Sequence, residues 1–288
     1  MTVTHQNPEK FDTDVNLAHL ETVDLARIVA GDSQERQKLY DAATSPGAFF
    51  LDFKARDEAI LDAVPQLYEL SDRYFERSHE EKLKDFRKDQ PASSDRGYKS
   101  SDCDETFEFA DDELFRGDPK LPPILHDQSN LIRQFNKICH TAATSMLSSL
   151  SDSLGLEGNG RFETHHRTTD SSDTGLKLIY EPSLAKAADV VENKHTDSGT
   201  FTLLFYERLG LHVYLPEEDR WEFAPVPKPG CALVTVADSL QRLSDSLFHS
   251  PLHRVTQPMD GAAKRYYLSY FLRPSHATKA AWAQGTTE

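Results

Sequence analysis

The residues of this 288-residue chain best suited to chemistry stand in the run Lys194-His195-Thr196-Asp197-Ser198-Gly199-Thr200-Phe201-Thr202-Leu203-Leu204. Thr200 to Phe205 is β-branched, apolar and aromatic, which predicts a strand, and the His-Thr-Asp ahead of it can be extended too. Alternate side chains of an extended segment point the same way. His195 and Asp197 then aim at one point while Thr196 faces away. A converging imidazole and carboxylate make half of a metal site, and the missing ligand should be a His on a facing strand. Ser250-Pro251-Leu252-His253-Arg254-Val255 offers one in His253. Two His and one carboxylate with open positions beside them form the donor set of a non-heme Fe(II) centre.

The other histidines compete poorly. The chain has 12, and a lone His is usually a hydrogen-bonded structural residue. In Thr164-His165-His166-Arg167 the adjacent rings should point apart, and neither His212 nor His249 has a ligand-like setting. No Glu or extra His flanks the candidate set as a general base, which disfavours a zinc hydrolase. Arg265 follows His253 by twelve residues in a strand-like run. An Arg among apolar barrel groups is costly unless it meets an anion, and a bidentate carboxylate is its natural partner. A structural salt bridge is the plainer role for Arg265 taken alone.

The elements that must position these groups fall into two halves. Leu20 to Ile28 predicts a short strand leading into a turn, Ser33 to Ala43 a helix, and Gly47 to Phe53 a buried strand. Ile60, Val64, Leu67, Leu70 and Tyr74 repeat at helical spacing, predicting a long amphipathic helix over residues 57–79 with Pro65 as the place for a kink. Glu80 to Asp89 reads as charged surface, and Gln90 to Arg116 as irregular. A second long helix is expected from Asp127 to Leu154, closed by a glycine cap at Gly155. Beyond Gly160 short strand-like runs follow one another: Gly175 to Tyr180, Thr200 to Phe205, Leu211 to Leu215, Ala232 to Val236 and Arg265 to Leu272. Many short strands separated by turns suggest a sandwich or jelly roll. The reading is one α+β domain over 1–288, with a helical part and first strands over 1–160 and a C-terminal tail over 275–288. Residues 1 to about 18 are polar and expected to fray.

Composition sets limits. A formal charge of −15 argues against nucleic acid and anionic membrane surfaces, which require basic groups. No stretch reaches transmembrane length, and the N-terminus lacks the apolar core of a signal peptide. Cys103, Cys139 and Cys231 are too few and too scattered for a disulfide framework or a zinc knuckle. A cytoplasmic monomer binding a small molecule is the expectation.

Residues 175–274 resemble the Fe(II)/2-oxoglutarate-dependent dioxygenases of the isopenicillin N synthase-like group. That family's His-Thr-Asp-x-Gly-x-x-Thr-Leu-Leu stands here as His195 to Leu204. Its Gly-Leu-x-Val is Gly210 to Val213, and the Trp before its Pro-Gly turn is Trp221. Its Gly-Asp-x-Leu is Ala237 to Leu240, and its Ser-x-x-His-Arg-Val is Ser250 to Val255. The front half agrees more loosely, through Val23-Asp24-Leu25, Gly47-Ala48-Phe49-Phe50, Glu81-Lys82 and Gly97-Tyr98.

The resemblance implies a double-stranded β-helix (jelly-roll) core over 175–274, backed by the long helices of the front half. It also implies that His195, Asp197 and His253 bind Fe(II) and that Arg265 holds the distal carboxylate of 2-oxoglutarate. Tyr267 stands where the family has a Ser that shares that carboxylate. The family's Asn-x-Tyr aligns on Leu178-Ile179-Tyr180, leaving Tyr180 as a cosubstrate contact. The activity implied couples oxidative decarboxylation of 2-oxoglutarate by O2 to C–H oxidation of a small, largely apolar molecule: hydroxylation, desaturation, ring formation or epoxidation. The family habit is secondary-metabolite biosynthesis. Arg96, Tyr98, Lys99, Phe107 and Glu108 are candidates for the substrate wall. The alternatives are an iron oxidase of the same fold without 2-oxoglutarate, and a non-catalytic binding protein on the same barrel. The intact triad and Arg265 speak against the second.

Overall fold

In the computed structural model, the described residues are 15–91, 94–102, 104–117, 119–182, 194–256 and 262–284. Cys103, most of the N-terminal stretch expected to fray and the end of the tail lie outside them. The front half runs β1 (Thr22–Asp24), α1 (Leu25–Val29), α2 (Ser33–Thr44), β2 (Ala48–Asp52), α3 (Ala59–Phe75), α4 (His79–Leu83), β3 (Gly97–Ser100), β4 (Glu105–Ala110), α5 (Asp111–Arg116), α6 (Pro123–His126) and α7 (Ser129–Ser153). The back half follows with β5 (Gly175–Pro182), β6 (Phe201–Tyr206), β7 (Leu211–Leu215), β8 (Arg220–Phe223), β9 (Cys231–Val236), α8 (Asp238–Leu243), β10 (His253–Val255), β11 (Lys264–Leu272) and α9 (His276–Ala283).

Two sheets face each other. The major one has eight strands in the order β1-β2-β9-β6-β11-β5-β4-β3, and the minor one has three in the order β10-β7-β8. Among the paired strands only β1 against β2 is parallel. The pattern of β5 and β11 shows why the major sheet has two different faces. Leu176, Leu178, Leu268, Tyr270 and Leu272 belong to the core that α3 and α7 cover. Their alternates Lys177, Ile179, Glu181, Tyr267, Ser269 and Phe271 line the space between the sheets. A period of two on strands buried on both faces thus sends one set to the helices and the other to a cavity.

The two long helices hold the outer face by the stripes expected of them. Ile60, Leu67, Leu70 and Tyr74 of α3 and Phe135, Ile138, Ala142, Met146 and Leu150 of α7 are buried. Phe135 meets Phe205 of β6 edge-on at 5.2 Å between ring centres. Removing an aromatic ring from such a core costs about 3–5 kcal/mol. Helix α3 runs on through Pro65. Gly155 takes a positive φ of 63° after α7, and the Leu156 N–H donates to Ser151 O at 3.0 Å, so the expected glycine cap is present.

The front half departs from expectation in two places. Between Leu20 and Ile28 only Thr22–Asp24 is strand. The Asp24 side chain then accepts the Arg27 N–H at 3.1 Å and starts α1, an N-cap that outweighs the apolar run. Within Gln90 to Arg116 the chain forms the β3–β4 hairpin, and β4 pairs with β5. Phe107 and Phe109 are apolar at period two and bury on the helix side. That burial makes the hairpin part of the major sheet instead of a surface loop.

Candidate metal centre and active-site cleft

The triad is assembled by backbone pairing between its two segments. His195 N–H donates to His253 O and His253 N–H to His195 O, both at 2.9 Å. This antiparallel bridge joins the segment before β6 to the start of β10, and so joins the two sheets. The imidazoles lie 4.4 Å apart between ring centres. Asp197 Oδ1 is 3.9 Å from His195 Nε2 and 3.7 Å from His253 Nε2. All three donor atoms fall within 4.8 Å of one another, the one such group among the described residues. His253 is buried, whereas the His195 side chain is about 49% exposed. Solvent reaches the centre from the His195 side.

Neighbouring groups leave one donor atom of Asp197 and one of His253 available to a metal. Asp197 Oδ2 accepts the Thr202 hydroxyl at 2.6 Å and the Thr235 hydroxyl at 3.4 Å, which leaves Oδ1 for a metal. His253 Nδ1 lies 3.1 Å from Pro251 O. A carbonyl can only accept, so that nitrogen carries the proton and Nε2 keeps its lone pair. Burial lowers the pKa of His253, which favours the neutral, ligating form.

Asp238 buckles the two segments together. Its carboxylate accepts Thr196 Oγ1 at 3.1 Å and Ser250 Oγ at 2.9 Å, and its N–H donates to Asp197 O at 2.8 Å. Sequence reasoning aligned Asp238 and Ser250 with the family but gave neither a task. Their signal was there: a Ser three residues before one ligand, and an Asp opening a helix after β9. Two imidazoles and a carboxylate with an exposed side suit Fe(II).

A cavity of about 380 Å³ opens from the triad between the sheets. Thr202, Leu204, Thr235, Leu211, Val255 and Ser269 line its middle. At one end stand Tyr267 and Glu181, with the Tyr267 hydroxyl donating to Glu181 Oε2 at 3.3 Å. Arg265 is Glu181's direct cross-strand partner; it is buried, and its Nε donates to Leu209 O at 3.3 Å. Gly210 makes room for the Tyr267 ring, since a Cβ there would sit 2.2 Å from the hydroxyl.

At the other end Lys177 pairs with Asp95 at 2.8 Å and with Glu108 at 3.2 Å, and Arg273 pairs with Glu108 at 2.6 Å. Both cations lie by the Phe271 ring, at 5.4 and 4.6 Å from its centre. A second cleft of about 540 Å³ shares Asp95, Ser198 and Arg273 with the first. Arg96, Glu108, and His276 and Lys279 of α9 line it, so the start of the tail helix forms part of the mouth.

Not every expected residue reaches the cavity. Tyr180 faces the helices, stacked 5.6 Å from Phe75 and tilted 5.4 Å from Tyr266, and is not among the groups that line the cavity. The residues of β5 that face inward are Lys177, Ile179 and Glu181, the last two one position on from the pair aligned by sequence. Among the substrate-wall candidates, Arg96 and Glu108 line the outer cleft. Tyr98 is buried on the helix side, with its hydroxyl donating to Glu105 at 2.7 Å. Phe107 packs on Tyr74 at 5.2 Å. Lys99 pairs with Asp95 at 3.4 Å and is not among the lining groups. The alternation of β3 and β4 decides these outcomes. As expected, His165 and His166 turn apart, with rings at 88°. His166 is buried against Phe162 O and Thr200 Oγ1, and desolvation drives its pKa down to about 3.

Comparison with known proteins agrees with this geometry. A family model described as the 2OG-Fe(II) oxygenase superfamily matches residues 172–274. The chain is 34% identical over 269 residues to the 2-oxoglutarate-dependent dioxygenase frbH of Dothideomycetidae sp. (strain 11243), covering 90% of this chain and 83% of that protein. A 2-oxoglutarate-dependent dioxygenase of Gibberella zeae is 33% identical over 281 residues, covering 92% and 82%. The crystal structure of a full-length Neurospora crassa protein in complex with alpha-KG and 5-formyluracil shares the fold, with a TM-score of 0.74 at 22% identity over 92% of this chain and 87% of that one. This chain belongs to the 2OG-Fe(II) oxygenase superfamily. It is an Fe(II)- and 2-oxoglutarate-dependent dioxygenase on a double-stranded β-helix, and O2 is its second cosubstrate. No helix among the described residues is long and apolar enough to cross a membrane.

Proposed function

We propose that His195, Asp197 and His253 hold the Fe(II), that Arg265 and Tyr267 hold the far carboxylate of 2-oxoglutarate, and that a small organic substrate enters from the Lys177–Arg273 end. The observation that carries this reading is Asp197 Oδ1, which both imidazole nitrogens face at 3.7–3.9 Å while Thr202 and Thr235 occupy the other oxygen. When bound, Fe(II) and 2-oxoglutarate supply O2 activation coupled to decarboxylation, giving succinate, CO2 and an oxidised substrate.

The protein's own part is placement and exclusion of water. Pro251 O holds the proton on His253 Nδ1, Thr202 turns Asp197, and Asp238 fixes the two ligand segments relative to each other. Leu204, Leu211 and Val255 give the middle of the cavity an apolar wall. The substrate expected from sequence was largely apolar. The ion pairs around Lys177 and Arg273 favour one with an apolar body against Phe271 and polar groups at its outer end.

This reading places the enzyme in secondary-metabolite biosynthesis, the habit of the family it resembles. It also makes the chain a single-domain cytoplasmic monomer, supported by its net charge of −15 and by free thiols at Cys139 and Cys231.

The test is anaerobic loading with Fe(II) followed by titration with 2-oxoglutarate, watching the visible charge-transfer band of the chelate. A saturable band in the wild type, absent in His195→Ala together with bound iron, is the expected result. Full iron binding by His195→Ala would remove the ligand assignment. Iron without a band would move the protein to the oxidase reading.

A further inference from the structure

The inner end of the cavity holds an anion of its own. Glu181 faces inward from β5 directly opposite Arg265 on β11, and cross-strand neighbours on one face stand about 5 Å apart at Cβ. It is about 9% exposed. Its Oε2 accepts the Tyr267 hydroxyl at 3.3 Å. The phenol has a single proton to donate, so while it serves Glu181 it cannot serve another carboxylate. Burial first, and then the Glu181 charge, push the pKa of Tyr267 well up, so the phenol stays protonated. The Tyr267 hydroxyl already lies against Gly210, where an added Cβ would come within 2.2 Å of it. A carboxylate arriving beside Arg265 and Tyr267 therefore meets the Glu181 carboxylate and a donor that already serves it.

We propose that Glu181 is a resident competitor for the cosubstrate's far carboxylate, setting the affinity for 2-oxoglutarate by occupying the Tyr267 donor and opposing the incoming charge. This rests on the assignment of Arg265 and Tyr267 to that carboxylate. Glu181 is a specificity-determining residue on this account, since its effect falls only on 2-oxo acids that carry a second carboxylate. Replacing it with Gln keeps the size, removes the charge and adds an N–H donor. Like charges within about 6 Å oppose each other enough, at a protein-like dielectric, to change binding by roughly ten- to a hundredfold.

The experiment is anaerobic calorimetry on the Fe(II)-loaded full chain, titrating 2-oxoglutarate and, separately, 2-oxovalerate, which has the 2-oxo acid head and no far carboxylate. Glu181→Gln and Glu181→Ala are compared with wild type, with thermal unfolding recorded for each. Tightening of 2-oxoglutarate by roughly tenfold or more, in a folded variant whose 2-oxovalerate affinity is unchanged, is the expected result. Unchanged or weaker 2-oxoglutarate binding would make Glu181 a support for Tyr267 and overturn the proposal. Equal tightening of both ligands would overturn it too, as a general loosening of the site. If iron-loaded wild type bound no 2-oxoglutarate, the assignment underneath would fail and the proposal with it, a result distinct from a variant that binds as wild type does.

Discussion

Thr202→Val tests whether the proposed centre depends on groups beyond its three proposed ligands. The substitution keeps the β-branched shape that β6 needs and removes the hydroxyl that reaches Asp197 Oδ2 at 2.6 Å. A hydrogen bond to a charged acceptor contributes about 1.5–3 kcal/mol. The more distant Thr235 hydroxyl, at 3.4 Å, is poorly placed to take over. Freed on that side, the carboxylate loses its orientation and its outer oxygen loses a donor. Converted to binding, the loss is roughly ten- to a hundredfold in metal affinity, the range seen when outer partners of metal ligands are removed. The assay is anaerobic titration of the apoprotein with Fe(II), read by calorimetry, with urea unfolding as a check on the fold. Metal affinity within about twofold of wild type, far below the loss expected for an outer partner, would refute the claim that Thr202 holds the ligand.

Two other perturbations follow from the same reasoning. Asp111 is buried in the helix-side core, where it accepts Asn136 Nδ2 at 2.7 Å and Tyr270 Oη at 2.8 Å, and desolvation raises its pKa to about 7. A carboxyl raised in the fold stabilises at low pH and loses that contribution as pH climbs from its unfolded value near 3.8 to about 7. His166 has the opposite sign: its pKa is lowered to about 3, so its contribution is complete above about 6.5 and is lost as pH falls. Between about pH 4 and 6.5 the two slopes, about 1.4 kcal/mol per pH unit each, oppose one another. Asp111→Asn should therefore lose stability on acidification more steeply than wild type in urea titrations across that window, and parallel profiles would contradict the assignment. Gly210→Ala should weaken 2-oxoglutarate binding and destabilise the fold by about 1–3 kcal/mol, because its Cβ would meet the Tyr267 hydroxyl. Tyr267→Ser in that background should recover the stability, and no recovery in thermal unfolding would show that the clash lies elsewhere.

How much of this was legible in the sequence depended on the length of the pattern that carried it. The triad could be read because His195 and Asp197 sit two apart before a β-branched run and His253 opens a second strand. The long helices could be read because α3 and α7 repeat an apolar stripe over many turns. Strand β5 could not be placed in register, because Leu176 to Tyr180 meets an apolar core on one side and a half-apolar cavity on the other. Only Lys177 and Glu181, sharing parity, reveal which face Ile179 takes. Tyr98 and Phe107 stand in a stretch that reads as irregular in sequence, which points them toward the substrate. Their fate was decided by a long-range pairing, β4 on β5, that no local pattern encodes.

The two ends of the cavity set different terms for what enters. Among the outer groups, Lys177 already has Asp95 and Glu108, Arg273 has Glu108, and Arg96 has Asp112, Glu113 and Asp173. A substrate charge gains little by approaching such satisfied pairs unless it replaces one member, because the group it displaces must find a new partner or water. Asp95 is the exchangeable member, with its side chain about 42% exposed against 2% for Glu108. A ligand that brings an anion to Lys177 can release Asp95 to solvent, whereas releasing Glu108 would strand a buried charge beside Arg273. Discrimination at this mouth then comes less from attraction than from the cost imposed on ligands that break the wrong pair. On the proposed assignment the same logic holds at the inner end, where the Tyr267–Glu181 hydrogen bond would be broken before a carboxylate is received.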